Sequence, residues 1–360
     1  MKKKDKKVKL ESQKEKYLTQ AKKRKKLPLI VLAVVIVLAA VVSGFLLFGK
    51  ETEINTNNTN QANEVGEVRR NIDGIYDSSE NQNPYPVALM IENLVTVRPQ
   101  SGLDKANLVY EALVEGGITR FMALYCLTEP VESMGPIRSA RPYFLDWAKE
   151  YNALYGHVGG SPKAMSLIST YNIFNLDQFY DARYYWRDNE RAAPHNVYTA
   201  SKFLVFALRD KEAGQANYES YEYKEEIPLE DRPEEEKIIT IDYSSYSYKV
   251  EWKYNRGENK YERFQGGEVF ESKEAGQVKA KNVIVQYVKT SLEDESRLKM
   301  ETIGQGEAMI FRDGLAIEAK WIKEGRNQRT KFYDLAGEEI KFNAGQTWIQ
   351  IVPTDREVTF

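Results

Sequence analysis

The longest apolar run in the chain covers residues 27–48, 22 residues without a charge and made mostly of Val, Leu, Ile and Ala. At 1.5 Å of rise per residue, about 20 residues cross the hydrocarbon core of a bilayer. The run therefore predicts one transmembrane helix. Pro28 falls in its first turn, where a missing N–H costs little. A cleaved signal peptide has a shorter apolar region, roughly 7–15 residues, ending at a small-x-small site. Here Val42-Ser43-Gly44 is followed by more apolar residues, so the segment is read as an uncleaved anchor.

Beyond the run the pattern changes three times. Residues 49–83 hold few apolar positions, with "NTNNTNQANE" at their heart, and read as a flexible stalk. Residues 84–223 alternate between periods. Strands are expected at 87–91, 108–113, 118–127 and 153–158, and a helix over 141–151 buries Phe144, Trp147, Ala148 and Tyr151 on one face. A second helix starts with Ser161 as its N-cap and Pro162 at its first position, and a third follows Thr199. Strands alternating with helices predict an α/β domain. An acidic, proline-bearing linker at 224–236 follows. Residues 237–360 then show almost no helical period, but strand patterns at 238–243, 246–254, 260–264, 282–288, 308–311, 315–322, 330–333 and 348–352. Turns at Arg256-Gly257, Asp313-Gly314 and Ala336-Gly337 separate several of them, which predicts an all-β second domain, a sandwich or open barrel.

Charge fixes the orientation. The chain's net charge is −2, yet residues 1–26 carry 13 Lys/Arg against 3 Asp/Glu. Five basic residues, Lys22 to Lys26, abut the apolar run on one side only, and the positive-inside rule makes residues 1–26 a basic cytoplasmic tail. The expected location is the plasma membrane, single-pass, with the bulk of the chain extracellular. Lysines beside a membrane helix set orientation or touch anionic lipid, so no nucleic-acid partner is expected. The one cysteine, Cys126, sits in an apolar stretch, can form no internal disulfide, and reads as a small buried hydrophobe. No lipobox cysteine accompanies the apolar run.

The candidate chemistry falls in the α/β domain. It holds both histidines of the chain, His157 in "YGHVGGSP" and His195 in "AAPHNVY", each among loop-forming residues. Arg120 lies in "EGGITRF", and Arg138 and Arg141 in "GPIRSARP", straddling the start of a predicted helix. Helix N-termini favour anions, and guanidinium forks bind two oxygens of a phosphate or carboxylate at once. The turn Gly159-Gly160-Ser161 offers a second helix start of that kind. These residues, with Asn196 beside His195, form a candidate anion site, and His157, His195 and Glu115 are its candidate proton carriers. The bland alternative pairs each arginine with an acid such as Glu111, Glu115, Asp146 or Asp188. Gly-x-Ser-x-Gly, Walker, His-Glu-x-x-His and Gly-x-Gly-x-x-Gly motifs are absent, and no spacing demands a metal. The sequence names no cofactor.

At these residues the chain resembles the YerB-like family of bacterial envelope proteins. The likeness rests on "PVALMIEN", "RPQSGLDKANLVYEALVEGGITRF", "MGPIRSARPYFLDWAKEYNALYGHVGGSP" and "RAAPHNVYT" in the first half. In the second it rests on "AKNVIVQY", "GQGEAMIFRDG" and "GQTWIQIVP". It implies an extracellular address and a two-domain plan, with the anchor helix standing where relatives carry a lipidated cysteine. A looser likeness is to the LytR-CpsA-Psr phosphotransferases, whose arginines hold the pyrophosphate of a polyprenyl-linked glycan. Two functions are therefore expected to compete. One binds or processes a phosphate-bearing envelope ligand, lipid-linked or wall-linked. The other is a non-catalytic module that binds an envelope protein or glycan.

Overall fold

Most of the apolar runs beyond residue 84 become the expected elements, but their assembly differs from the expected plan. The computed structural model describes residues 67–360. The basic tail 1–26, the predicted membrane helix 27–48 and most of the stalk lie outside the described residues. Among the described residues, no helix is long and apolar enough to cross a membrane.

The stalk ends earlier than expected. Val68–Arg69 pairs antiparallel with Tyr76–Asp77, and Ile72 between them reaches the core. Arg70, also buried, donates to both carboxylate oxygens of Asp73 at 3.0 and 2.7 Å. Hydrogen bonds from Asn107 to Asp73, from Arg70 to Thr128 and from Tyr223 to the Ile72 carbonyl join this segment to the rest of the fold, although its composition alone marks it as flexible.

The first half contributes β1 (Val87–Glu92), β2 (Leu108–Leu113), β3 (Thr119–Tyr125), α1 (Pro142–Glu150), β4 (Leu154–His157), α2 (Pro162–Thr170), β5 (Asn175–Asp177) and α3 (Ser201–Asp210). Both expected starts hold. Pro142 opens α1 after Arg141, and the Ser161 side chain caps α2 by accepting from the Ala164 N–H at 3.2 Å. The second half contributes strands and short 3-10 turns but no α-helix. Its main strands are β6 (Ile238–Asp242), β7 (Lys249–Asn255), β8 (Lys260–Gln265), β9 (Asn282–Val288), β10 (Thr290–Leu292), β11 (Leu298–Met300), β12 (Gly304–Arg312), β13 (Leu315–Lys323), β14 (Lys331–Asp334) and β15 (Thr347–Pro353).

Five strands from each half make one ten-stranded sheet, in the order β14-β13-β12-β9-β15-β2-β3-β1-β4-β5. The seam is the parallel pair β15–β2, with Thr347 opposite Leu108 and Gln350 opposite Glu111. Residues 224–236 thus mark a change of composition but not a break in the packing: the described chain is a single β-rich unit. A smaller sheet built on β6, β7 and β8 covers one face near the seam, where the Trp252 and Trp348 rings meet at 5.3 Å. On the other face Trp147 of α1 stacks on Tyr110 of β2 at 5.4 Å. The second half does form a sandwich, but its larger sheet runs on into the first half.

Candidate functional site

The predicted arginines converge where β1 ends and β3 begins. Antiparallel register sets Glu92, the last residue of β1, opposite Arg120. Residues opposite each other share a sheet face, so a carboxylate and a guanidinium project side by side. They do not pair with each other. Glu92, almost fully buried, holds Arg138 Nε at 3.0 Å through one oxygen and His195 Nδ1 at 2.8 Å through the other. The loop carrying Arg138 is tied to β1 by its own N–H, which donates to the Met90 carbonyl at 2.8 Å. His195 is 30% exposed, and its second ring nitrogen has no partner among the described residues. A carboxylate that fixes one imidazole nitrogen leaves the other aimed and able to carry a proton.

Arg141 is fully engaged. It grips Glu115 with two parallel hydrogen bonds of 2.5 and 2.7 Å and donates to the Ala140 carbonyl at 2.7 Å. Burial alone would lift the Glu115 carboxyl, but the hydrogen bonds and charge of Arg141, and the charge of Arg120, hold it below its usual range. Glu115 is therefore a carboxylate at neutral pH and suits an arginine partner better than a general base.

Arg120 is different. Its side chain is buried, and its one hydrogen bond runs from Nη1 to the Ser139 carbonyl at 2.7 Å. No carboxylate lies within 4 Å of it among the described residues. Burial first, and then the like charge of Arg141, push this guanidinium down to about 10. It stays charged at neutral pH. Close by, the buried Tyr155 hydroxyl has no hydrogen-bond partner among the described residues; burial pushes its pKa up, and the charges of Arg120 and Arg141 only partly offset that. A buried cation and a buried hydroxyl, both short of partners, are what an anionic oxygen would satisfy.

The remaining candidates are used inside the fold. His157 is completely buried, with Nδ1 at 2.7 Å from the Gly159 carbonyl and Nε2 at 2.7 Å from Asn175 Oδ1. Neither nitrogen is left for a ligand. Gly159 has φ +55°, and a Cβ there would meet the Phe179 ring at 2.9 Å, so only glycine fits. Its N–H donates to Asp177 at 3.0 Å. Gly160 packs on Ala140, and the Ser161 N–H donates to the Ala140 carbonyl at 3.2 Å. This turn thus docks the arginine loop against β4 and offers no open anion cradle. Asn196 donates to the carbonyls of Asp188 and Arg191 and accepts from Arg187, which pins the loop that presents His195.

Sequence reasoning missed Glu92. Its one signal is a lone acid closing the otherwise apolar strand of "PVALMIEN". Among the described residues, no cluster of three or more His, Cys, Asp or Glu side chains is arranged to hold a metal ion.

Comparison with known proteins agrees with this architecture. A family model described as the N-terminal domain of a protein of unknown function (DUF3048) matches residues 73–215, and the corresponding C-terminal domain matches 239–349. "Putative lipoprotein YerB" of Bacillus subtilis (strain 168) is 31% identical over 280 residues, covering 74% of this chain and 81% of that protein. The crystal structure of the YerB protein from Bacillus subtilis matches with a TM-score of 0.73 at 26% identity, over 82% of this chain and all of that one.

Proposed function

The chain belongs to the YerB-like family, whose two domains have no assigned function, and on that premise we propose that it is a membrane-anchored envelope protein whose arginine cluster binds a phosphate-bearing ligand. The anchor is the apolar run 27–48. The relative named as a lipoprotein would be held by a lipidated cysteine, whereas the one cysteine here, Cys126, is buried next to the end of β3. Such an anchor would set the folded region among lipid-linked and wall-linked anions.

The observation that carries the reading is Arg120, a buried charge with one carbonyl acceptor and no carboxylate partner. Arg138 and Arg141 stand beside it on the same loop, each already held in place by an acid. Arg138, held by Glu92 through Nε, needs little reordering to receive an anion, which lowers the entropic cost of binding, while Arg141 stays committed to Glu115 and adds its charge to the site. Titration of the full-length chain with inorganic pyrophosphate tests this. Binding is expected, and Arg120→Met should weaken it by about tenfold or more, since a hydrogen bond to a charged group contributes about 1.5–3 kcal/mol. Equal affinity in wild type and variant would remove Arg120 from the site.

The Glu92–His195 pair favours a second step, proton transfer to or from the bound ligand. In that role His195 carries the proton and Glu92 orients it.

A further inference from the structure

A cavity of about 310 Å³ lies between the Leu113–Gly117 turn of the first half and segments of the second half. Its walls include Ser244, Thr290, Ser291 and Ser296, with Leu113 and Leu298 as apolar patches. Ser244 donates to the Gly117 carbonyl. Ser291 and Ser296 are exposed and Thr290 is half-buried, so their hydroxyls face solvent, and among the described residues none of the three bonds to the protein. Cavities that hold a specific ligand combine apolar wall with a few placed polar groups, and this one is rich in groups that can both donate and accept.

The cavity adjoins the arginine site through Glu115. That residue is one position before Gly116 of the cavity wall, and it grips Arg141 on one side. On the other, its carboxylate lies 3.8 Å from Nε of Arg297, which sits between Ser296 and Leu298 of the wall on the β10–β11 hairpin. Arg356, also in the wall, has Asp355 at 3.9 Å as its nearest acid. The hairpin is fixed over α1, since Thr302 just past β11 donates to Asp146 at 2.6 Å. Arg297 is also paired with Asp294 through Nη1 at 2.5 Å, so guanidiniums, each with an acid beside it, stand next to a space that hydroxyl groups help to line, and the two halves of the chain build it together.

We propose that this cavity receives a sugar attached to the phosphate held by the arginines, so that the ligand is a phosphorylated carbohydrate and the second half of the chain selects it. This rests on the anion reading above. Hydroxyl-lined walls suit a polyol, which offers both donors and acceptors, better than a bare phosphate or an acyl chain. Two or three such hydrogen bonds at about 0.5–1.5 kcal/mol each amount to roughly tenfold or more in affinity.

The test compares inorganic phosphate, glucose and glucose 1-phosphate on the full-length chain by calorimetric titration. Glucose 1-phosphate should bind about tenfold more tightly than inorganic phosphate, with glucose alone the weakest. The double variant Thr290→Val, Ser291→Leu, on a surface hairpin outside the core, should lose that preference and keep its affinity for inorganic phosphate. Equal affinity for the two phosphates in wild type, or a preference that survives in the variant, overturns the sugar assignment and leaves the anion site standing. Failure of both phosphates to bind overturns both.

Discussion

Two buried arginines of this protein, one in each of the two larger sheets, have opposite surroundings. Arg263 of β8 is fully buried, its Nη2 2.8 Å from Glu111 of β2. Its guanidinium lies 4.6 Å from the ring centres of both Phe270 and Trp348, and 5.2 Å from that of Trp252. Nε and Nη1, which have no hydrogen-bond partner among the described residues, lie beside these ring faces, whose negative quadrupole attracts a cation. Arg120 of β3 is buried as well, yet it has one carbonyl and no acid. Both guanidiniums are pulled down by burial, but for Arg263 the next influence is the opposing charge of Glu111, whereas for Arg120 it is the like charge of Arg141. Burial is therefore common to the two arginines and does not by itself assign either a role. What differs is the ionic partner, an acid for Arg263 and a carbonyl for Arg120.

The same contrast orders the expected effects of mutation. Arg263→Ala leaves Glu111 buried and unpaired, and chemical denaturation should show a loss of about 3–5 kcal/mol. A loss below about 1 kcal/mol would mean that water already solvates Glu111. Glu150 of α1 sharpens the point. It is buried and held at 2.8 Å by Lys323 and at 3.3 Å by Arg329, both from the second half. Burial would raise its carboxyl, but the charges of Lys323 and Arg329 hold it below its ordinary value of 4.5. A carboxylate depressed in the folded state stabilises fully above the unfolded pKa, and that contribution fades as pH falls through the folded value. Glu150→Gln should therefore cost about 3 kcal/mol at neutral pH, with the gap to wild type narrowing as pH falls below the ordinary value of 4.5 and through the lowered folded one. A gap that stays constant with pH would assign the cost to packing.

Arg120→Met should behave in the opposite way to Arg263→Ala. Removing an unpaired buried charge should leave the melting temperature unchanged or raise stability by about 1 kcal/mol, while pyrophosphate binding is lost. A large destabilisation would show that Arg120 belongs with Arg263 as a structural cation. His195→Gln is expected to have the smallest effect on stability, under about 1 kcal/mol, because the imidazole is partly exposed. Its signature would be a changed pH dependence of ligand binding.

Legibility follows the range of the interaction. The α2 start was readable because a cap and a proline act within a few residues, and α1 was readable from the helical spacing of its apolar face, although no side chain caps it. The strands of both halves were readable from local apolar patterns. The β15–β2 seam was not, since it joins Thr347 to Leu108 across most of the chain and neither segment shows which partner it takes. The arginine cluster was visible as "ITRF" and "GPIRSARP", but neither motif shows that Arg141 is paired with an acid and Arg120 is not. The glycine turn and His157 read as a ligand loop because their residue types suit one, and the hydrogen bonds that occupy them come from Asn175 and Asp177.

By itself the sequence determined the apolar run and its basic flank, the element types along the chain, and the gathering of arginines and histidines in the first half, because each depends on neighbours in the chain. Tertiary structure alone decided that the two halves share one sheet, that Glu92 orients both Arg138 and His195, and that one buried guanidinium lacks an acid. Those outcomes depend on which distant groups are brought within hydrogen-bond range, and residue type sets only what a side chain can pair with.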